Sequence, residues 1–269
     1  GAALVALPSS ASWLSDALAD VTQTSVGSGR VICVVGGSGG VGATTLAAGL
    51  AFVAARTQPT LLIDADPHSG GLDLLMGAER IPGWRWPRLA SARGHLGDLT
   101  GQLPSVEDVD LLSMARDESL PGCELRSEQM NAVLLSAMRS HAVVVVDLSR
   151  TVGSAGREAL RRAELAVLVV RDDVRGVAAG CEVAVQIGGD CAGRGLVVRQ
   201  GRSRLLEPRL VASGIDWPLL GSFADDPALL LAAERGDPPA RSARSSLARL
   251  CVEVLSDLSE PHLDRQEVR

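Results

Sequence analysis

The chain of 269 residues is 46% apolar and 22% charged, which suits one large globular domain with or without a fragment of another, and excludes a disordered chain. With 26 basic and 32 acidic residues it is mildly acidic, so its overall charge does not attract it to nucleic acid or anionic lipid. The chain has no lysine, and its five cysteines are scattered without metal-ligand spacing. No apolar run reaches the ~18 residues of a membrane span. These features predict a cytoplasmic protein with reduced thiols.

The first residues form a segment that is too small to bury a core of its own. Residues 1–21 predict a strand, a turn and a Ser-capped helix, which we interpret as the remnant of a truncated N-terminal domain. The polar stretch 22–30 is then a linker, and residues 31–258 form the main domain. Residues 259–269 are predicted to be a polar tail.

From Val31 onward, short apolar runs alternate with helical segments, which is typical of a parallel sheet covered on both faces. The run 143–146 (VVVV) lacks polar alternation, as expected for a strand buried on both faces. The predicted strands are 31–35, 60–64, 108–113, 142–147, 165–170, 195–198 and 218–223. Helices are expected to begin near Thr44, Arg126, Ser154, Val174, Asp226 and Ser242. The predicted fold class is therefore α/β, a doubly wound and mostly parallel sheet.

The least regular part of the main domain is the segment 77–106. It contains Trp84 and Trp86, which alternate around an arginine. We interpret the two tryptophans as anchors of a loop. A contact with a partner or a second subunit is the alternative.

A glycine-rich loop follows the first predicted strand of the main domain. Residues 37–44 (GSGGVGAT) match the phosphate-binding pattern G-x-x-x-x-G-K-[ST], except that alanine stands at the lysine position. Glycines let successive N–H groups point at phosphate oxygens, and the following helix adds the positive end of its dipole. These backbone properties survive the loss of the lysine. The candidate nucleotide-binding residues are Gly37, Ser38, Gly39, Gly40, Val41, Gly42, Ala43, Thr44 and Thr45.

The missing lysine removes a charge that would stabilise the transition state of phosphoryl transfer. A preorganised contact of this kind is worth about 10²–10³ in rate. The loop therefore predicts a site for nucleotide phosphates with little or no hydrolysis. A glycine-rich turn without any ligand is the alternative.

Acidic residues end two of the predicted strands. Asp64 and Asp66 follow the second strand, and Asp147 ends the fourth. Because the carboxyl ends of parallel strands meet at one edge of a sheet, all three are expected near the glycine-rich loop. Thr44, Asp64 and Asp147 are candidate ligands of Mg²⁺. Asp66 and Asp147 are the candidate catalytic groups, which would organise water or metal if there is turnover. Each aspartate alone is explained as well by a turn or a helix cap.

The loop, the carboxylates and their order along the chain resemble the MinD/ParA family of deviant-Walker ATPases. The family's loop KGGxGK[ST] corresponds to residues 38–45 (SGGVGATT), its second signature to 63–77, and its Walker B aspartate to Asp147. Residues 223–239 (FADDPALLLAAERGDPP) resemble the family's segment near the base, which implies a nucleotide contact at Asp226. The resemblance implies a P-loop NTPase fold that takes ATP or ADP together with Mg²⁺.

Two departures from the family remove positive charge. Its signature lysine is Ser38 here, and its phosphate-loop lysine is Ala43. Residues 147–151 (DLSRT) also lack the Pro and Gly that follow the family's Walker B aspartate, so the second switch is expected to differ. These losses, the fragment 1–21 and the GWRWP motif resemble the TadZ/CpaE-like branch, which includes septum-site-determining proteins of actinobacteria. This resemblance implies that residues 1–21 are the last strand and helix of a receiver-like domain.

The resemblance implies a homodimer that regulates septum-site selection, or places secretion or pilus machinery at a pole, through a protein partner. It also implies a cytoplasmic protein recruited to the pole or septum. The tail 259–269 lacks an apolar face, so no direct membrane anchor is expected. Residues 194–209 hold five arginines, which we interpret as a solvated surface without specific nucleic-acid binding.

Two rival interpretations stay open. An active ATPase would use an arginine, such as Arg150 or one from a partner, in place of the lysine. A pseudo-ATPase would have lost the nucleotide and kept only an interaction surface. His68, near the first carboxylates, is interpreted as a solvent-facing loop residue.

Overall fold

A computed structural model describes residues 29–90, 92, 96–114 and 125–259, and within these ranges the chain forms one sheet flanked by helices. The strands are β1 (Arg30–Gly36), β2 (Thr60–Ala65), β3 (Ser105–Val106), β4 (Val109–Leu112), β5 (Val143–Leu148), β6 (Leu165–Arg171), β7 (Arg194–Gln200) and β8 (Leu219–Ala224). The helices are α1 (Ala43–Ala55), α2 (Leu72–Leu75), α3 (Ser127–Ser140), α4 (Ser154–Arg162), α5 (Val174–Ile187), α6 (Pro208–Ile215), α7 (Pro227–Arg235) and α8 (Ser246–Ser259), with a 3-10 turn at Trp86–Leu89.

The eight strands lie in the order β3-β4-β2-β5-β1-β6-β7-β8, and every pair is parallel except β3 with β4. The parallel arrangement requires the connections between strands to cross over the sheet, and the helices supply these crossovers. β1 lies between β5 and β6, near the centre of the sheet. The glycine-rich loop at its carboxyl end is therefore surrounded by the ends of neighbouring strands. This confirms the predicted fold class.

The sheet has a separate hydrophobic core on each face. Successive side chains of a strand point to opposite faces, so Val31, Cys33 and Val35 belong to one core, and Ile32 and Val34 to the other. Helices α3, α4, α5 and α6 cover the first core, and α1 and α8 cover the second. Burial on both faces explains why the central strands read as unbroken apolar runs.

From residue 29 onward, the predicted strands and helices are present with small shifts at their ends, and three elements of the described residues were missed. The missed elements are β3, α2 and α6. β3 has only two residues, and α2 only four, so neither produces a periodic pattern. α6 begins with Pro208 at its first helical turn, inside the stretch that we interpreted only by its charge. α8 begins at Ser246, four residues after the predicted start at Ser242.

The interpretations of the chain ends fall partly outside the described residues. The remnant 1–21 and the linker up to residue 28 lie outside them, and so do residues 260–269 of the predicted tail. The last two residues of the predicted linker belong to the folded domain. The N–H of Gly29 donates to the carbonyl of Met138 at 2.9 Å, and Arg30 starts β1. In the described part of the chain, no helix is both long and apolar enough to cross a membrane.

The irregular segment is fixed by Trp86. Its side chain is 0% exposed, and its indole Nε1–H donates to the carbonyl of Asp64 at 2.6 Å. Trp84 is half-buried against the same core. The tryptophans are therefore loop anchors as predicted, and Trp86 ties the segment to the end of β2, where the candidate carboxylates begin.

Candidate functional site

A cleft of about 500 Å³ opens at the carboxyl edge of the sheet, above β1 and its neighbours. Its lining residues are Gly36, residues 38–45, Asp66, His68, residues 147–151, Arg199 and Leu230. The cleft thus lies between the glycine-rich loop and residues at or just after the carboxyl ends of β2, β5 and β7. This is the position at which ligands bind in open parallel sheets.

The loop exposes a row of unused backbone donors. Gly40 and Gly42 have φ angles of 69° and 93°, which turn the backbone sharply before α1 begins. Apart from the turn at residues 39–40, no N–H group of residues 38–45 donates to a backbone acceptor in the described part of the chain. The residue before α1, Gly42, has no side chain to cap the helix, and its first turn contains no acidic residue. The N–H groups and the positive end of the 13-residue helix are therefore free to bind an anion.

The backbone shape of this loop gives a stability prediction. Gly42→Ala is expected to lower the free energy of unfolding by about 1–2 kcal/mol, because a side chain is strained at its positive φ. The added Cβ would also lie 3.0 Å from Nη1 of Arg199. Gly39→Ala is the matched control, since its Cβ would meet nothing within 4 Å. Urea unfolding of both variants measures the difference, and equal free energies would contradict the geometry.

The MinD/ParA family has a lysine at two positions of this loop, and both positions have uncharged side chains here. Ser38 and Ala43 both line the cleft. A Cβ placed on Gly36 would lie 3.4 Å from the Cβ of Ala43, so Ala43 sits against the start of the loop. Neither residue can bring charge to a phosphate.

Asp147 and Thr44 lie together on the floor of the cleft. The Thr44 side chain lies close enough to the Asp147 carboxylate to lower its pKa. Burial raises the pKa of Asp147 to about 8, although Thr44 lowers it, and the charges of Asp64 and Asp66 raise it further. Among the described residues, Oδ2 of Asp147 is buried and has no hydrogen-bond partner. A buried oxygen without a partner, beside a hydroxyl and below an anion site, fits a cation ligand.

The raised pKa gives a pH-dependent prediction. The folded state holds the Asp147 proton more tightly than the unfolded state, so stability is lost as pH rises from about 4 to about 8. Asp147→Asn replaces this carboxyl with a group that does not titrate. With a chelator present, the free energy of unfolding of the variant should therefore exceed that of the parent by an amount that increases over this pH interval. We expect the difference to be on the order of 3 kcal/mol at pH 8. Urea unfolding at pH 5 and pH 8 measures the gain, and a gain that does not change with pH would contradict the assigned burial.

Asp64 does not line the cleft, although it was predicted as a metal ligand. One carboxylate oxygen accepts from the N–H of Asp66 at 3.1 Å. The other accepts from Ser69 Oγ at 3.1 Å and from the N–H of Leu72 at 3.3 Å. Burial raises its pKa to about 6, although these hydrogen bonds lower it. Asp64 therefore organises the turn after β2, and this turn brings Asp66 to the cleft.

Two further predicted residues also lie outside the cleft lining. The N–H of Gly37 donates to the carbonyl of Val169 at 2.8 Å, so it is not available to a phosphate. Asp226 caps α7 by accepting from the N–H of Ala228 at 2.9 Å. The other predicted loop residues and Asp66 do line the cleft, as does His68, whose side chain is exposed as expected.

Arg199 lies in the cleft but was not predicted as a site residue. This residue was counted as part of a solvated basic stretch, but its side chain is only 20% exposed and lines the cleft. That interpretation was wrong for Arg199. The signal that could have identified it is its place near the carboxyl end of a parallel strand, the same rule that selected the aspartates. Arg150, named as a substitute cation in one rival interpretation, lines the cleft as well and is exposed.

Comparisons with known proteins identify similar sequences and a similar fold. The domain family described as the CobQ/CobB/MinD/ParA nucleotide binding domain matches residues 32–177. An uncharacterized protein of Mycobacterium tuberculosis is 38% identical over 232 residues, which cover 86% of this chain and 64% of that protein. The chain thus spans less than two thirds of that relative. The septum site-determining protein MinD of Synechocystis is 24% identical over 235 residues, covering 84% of this chain and 88% of that protein.

A solved structure has the same fold. The septum site-determining protein MinD of Pyrococcus horikoshii, complexed with Mg-ADP, superposes with a TM-score of 0.71. The superposition covers 86% of this chain and 96% of that one, at 19% sequence identity. At this level of identity the similarity establishes the fold alone.

Proposed function

Since the chain belongs to the CobQ/CobB/MinD/ParA family of nucleotide-binding domains, we propose that it is a spatial regulator that binds ATP or ADP and hydrolyses ATP little or not at all. The observation that carries this proposal is the contrast within the cleft. The row of free N–H groups, Thr44 and Asp147 are in place, while the positions of both family lysines are neutral.

The phosphates are bound by backbone groups. The N–H groups of residues 39–45 donate to phosphate oxygens, and the positive end of α1 favours their charge. Three residues predicted to contact the ligand have structural roles instead. Gly37 supports the loop, Asp64 the turn after β2, and Asp226 the start of α7. These three assignments replace the direct roles expected from the sequence.

Thr44 and Asp147 are the residues that would hold Mg²⁺. The unpartnered Oδ2 of Asp147 and the adjacent hydroxyl are the protein donors, and no group of three or more His, Cys, Asp or Glu side chains converges in the described part of the chain. A cation here would take its other ligands from phosphates and water, which is usual for Mg²⁺. When bound, it supplies positive charge to the phosphates. Asp66, at the rim of the cleft, is placed to position a water molecule.

Hydrolysis is slow because the charge of the missing lysine is not available to the transition state. Loss of one such contact costs about 10²–10³ in rate. The bound nucleotide then acts as a signal more than as a substrate. Its presence favours one arrangement of the cleft face, and a partner recognises that arrangement.

The cleft face also offers a surface for a second copy of the chain. No residue of α7 is buried, and Leu230 and Leu231 are 67% and 52% exposed. Leu74, on α2 in contact with α7, is exposed as well. Exposed apolar side chains beside a ligand site support a homodimer that closes over the nucleotide.

The cellular role follows from the resemblance. We assign the chain to the TadZ/CpaE-like branch, as a cytoplasmic regulator that is recruited to a pole or septum by a protein of the division, secretion or pilus machinery. A weak ATPase is the second candidate, because two arginines, Arg150 and Arg199, line the cleft.

Thermal unfolding with and without ligand tests the proposal. A ligand at 100 times its dissociation constant stabilises the folded state by about 2.7 kcal/mol, which raises the melting temperature by several degrees. We expect this rise with ADP or ATP, and a larger one when Mg²⁺ is also present. Unchanged melting at millimolar nucleotide with Mg²⁺ would contradict the proposal and favour a pseudo-ATPase scaffold.

A further inference from the structure

The cleft contains one positive charge that the fold holds in place. Arg199 reaches the cleft from β7, two strands away from the glycine-rich loop. Its Nε donates to Oδ1 of Asp225 at 2.6 Å, and the other carboxylate oxygen of Asp225 accepts from Arg171 at 3.1 Å. Burial raises the pKa of Asp225, but the hydrogen bonds and charges of Arg199 and Arg171 outweigh it and lower the pKa below its usual value. Asp225 is thus a fixed anion that orients the guanidinium.

The same guanidinium rests on the glycine-rich loop. Nη1 of Arg199 donates to the carbonyl of Gly40 at 3.0 Å. A Cβ on Gly42 would lie 3.0 Å from Nη1 and 3.7 Å from Cδ, so the guanidinium packs where Gly42 has no side chain. Arg199 therefore contacts both residues whose positive φ angles shape the loop.

Arg199 retains hydrogen-bonding capacity after these contacts. A guanidinium has five N–H donors, and in the described part of the chain Arg199 uses one at Nε and one at Nη1, with no acceptor at Nη2. The remaining donors belong to a side chain that lines the cleft. A planar guanidinium with free donors can bind a phosphate through two parallel hydrogen bonds.

We infer that Arg199, oriented by Asp225, supplies a side-chain cation that binds a phosphate in the ground state, a role distinct from the transition-state contact that a lysine at residue 43 would make. Its ligand is a phosphate group of the bound nucleotide. Arg150 is less suited, because it is exposed and makes no hydrogen bond or ion pair within the described residues, so ordering it would cost conformational entropy. This inference rests on the proposed nucleotide binding.

Titration calorimetry with ligands of increasing charge tests the role of Arg199. The variant is Arg199→Gln, which keeps hydrogen-bond donors but loses the charge. The matched control is Arg202→Gln, an exposed arginine in the loop after β7 with no ion pair among the described residues. We expect Arg199→Gln to leave adenosine affinity unchanged and to weaken ADP and ATP about tenfold or more in the presence of Mg²⁺. Arg202→Gln should bind all three as the parent does.

A purely structural role for Arg199 gives a different pattern. If it only supported the loop through its contacts with Gly40 and Asp225, Arg199→Lys, which keeps the charge but not those contacts, would weaken ADP as much as Arg199→Gln, and that result would overturn the inference. Equal affinities of parent and variant for all ligands would overturn it as well. Melting of each variant without ligand reports on folding, and Arg199→Lys, which restores charge, should recover most of the ADP affinity.

A second substitution tests whether the charge of Arg199, and not the shape of its side chain, binds the phosphate. In the Arg199→Gln background, Ala43→Lys is expected to restore ADP affinity at least to within about threefold of the parent, because either side chain delivers a cation to the same phosphates. No recovery would contradict this account of Arg199. Failure of the unsubstituted protein to bind any nucleotide would instead overturn the proposed function itself, and this inference with it.

Discussion

Replacing Trp86 with alanine is expected to lower the free energy of unfolding by about 4 kcal/mol, as for other large side chains removed from a core. The side chain is fully buried, and its removal would leave both a cavity and an unpaired carbonyl at Asp64. Because Asp64 organises the turn that presents Asp66, the variant should also bind nucleotide and Mg²⁺ less tightly. Urea unfolding measures the first effect, and titration calorimetry the second.

Two controls separate the contributions of Trp86. Trp86→Phe keeps most of the packing and removes the indole hydrogen bond, so a smaller loss of about 1–2 kcal/mol is expected. Trp84→Ala removes a neighbouring tryptophan that is only half-buried, and it should cost less than Trp86→Ala. A Trp86→Ala variant within about 1 kcal/mol of the parent would show that the irregular segment is not held in this way.

Introducing lysine at residue 43 is expected to increase ATP hydrolysis by about 100-fold. Ala43 is the first residue of α1 and lines the cleft, so a lysine there would reach the phosphates bound by the same loop. The cost in stability is small, because a positive charge at the amino end of a helix is unfavourable by about 0.3–1 kcal/mol. Steady-state phosphate release measures the change.

Ala43→Gln is the matched control for this gain. Glutamine brings a long polar side chain without charge, so it should leave the hydrolysis rate near that of the parent. An unchanged rate in Ala43→Lys, with nucleotide binding intact, would show that more than the lysine has been lost from the catalytic arrangement. The altered segment after Asp147 would then be the next region to examine by substitution.

The sequence predicts the strands and the glycine-rich loop well, because both depend on local and periodic properties. Apolar runs specify the buried strands, and the glycines specify the positive φ angles at Gly40 and Gly42. The rule that carboxyl ends of parallel strands meet at one edge then places Asp147 beside Thr44 correctly. These features do not depend on which way a particular side chain turns after its strand ends.

The direction of side chains near the strand ends is what the sequence does not specify. Asp64 turns inward to Ser69, and Asp226 caps its own helix, because nearby N–H and O–H donors are available to them. Arg199 turns toward the loop because Asp225, which is distant in sequence but directly follows the neighbouring strand β8, fixes it there. The direction of these side chains depends on tertiary contacts, so a sequence motif alone predicts it only by analogy with other proteins.

The central claim is that this cleft binds ATP and has lost most of its ability to hydrolyse it. A single-turnover measurement tests it most directly, with protein in excess over labelled ATP and with Mg²⁺ present. The label should remain with the protein, and after about an hour most of it should still be ATP. Label that never associates with the protein, or that is converted to ADP within about a minute, would contradict the claim.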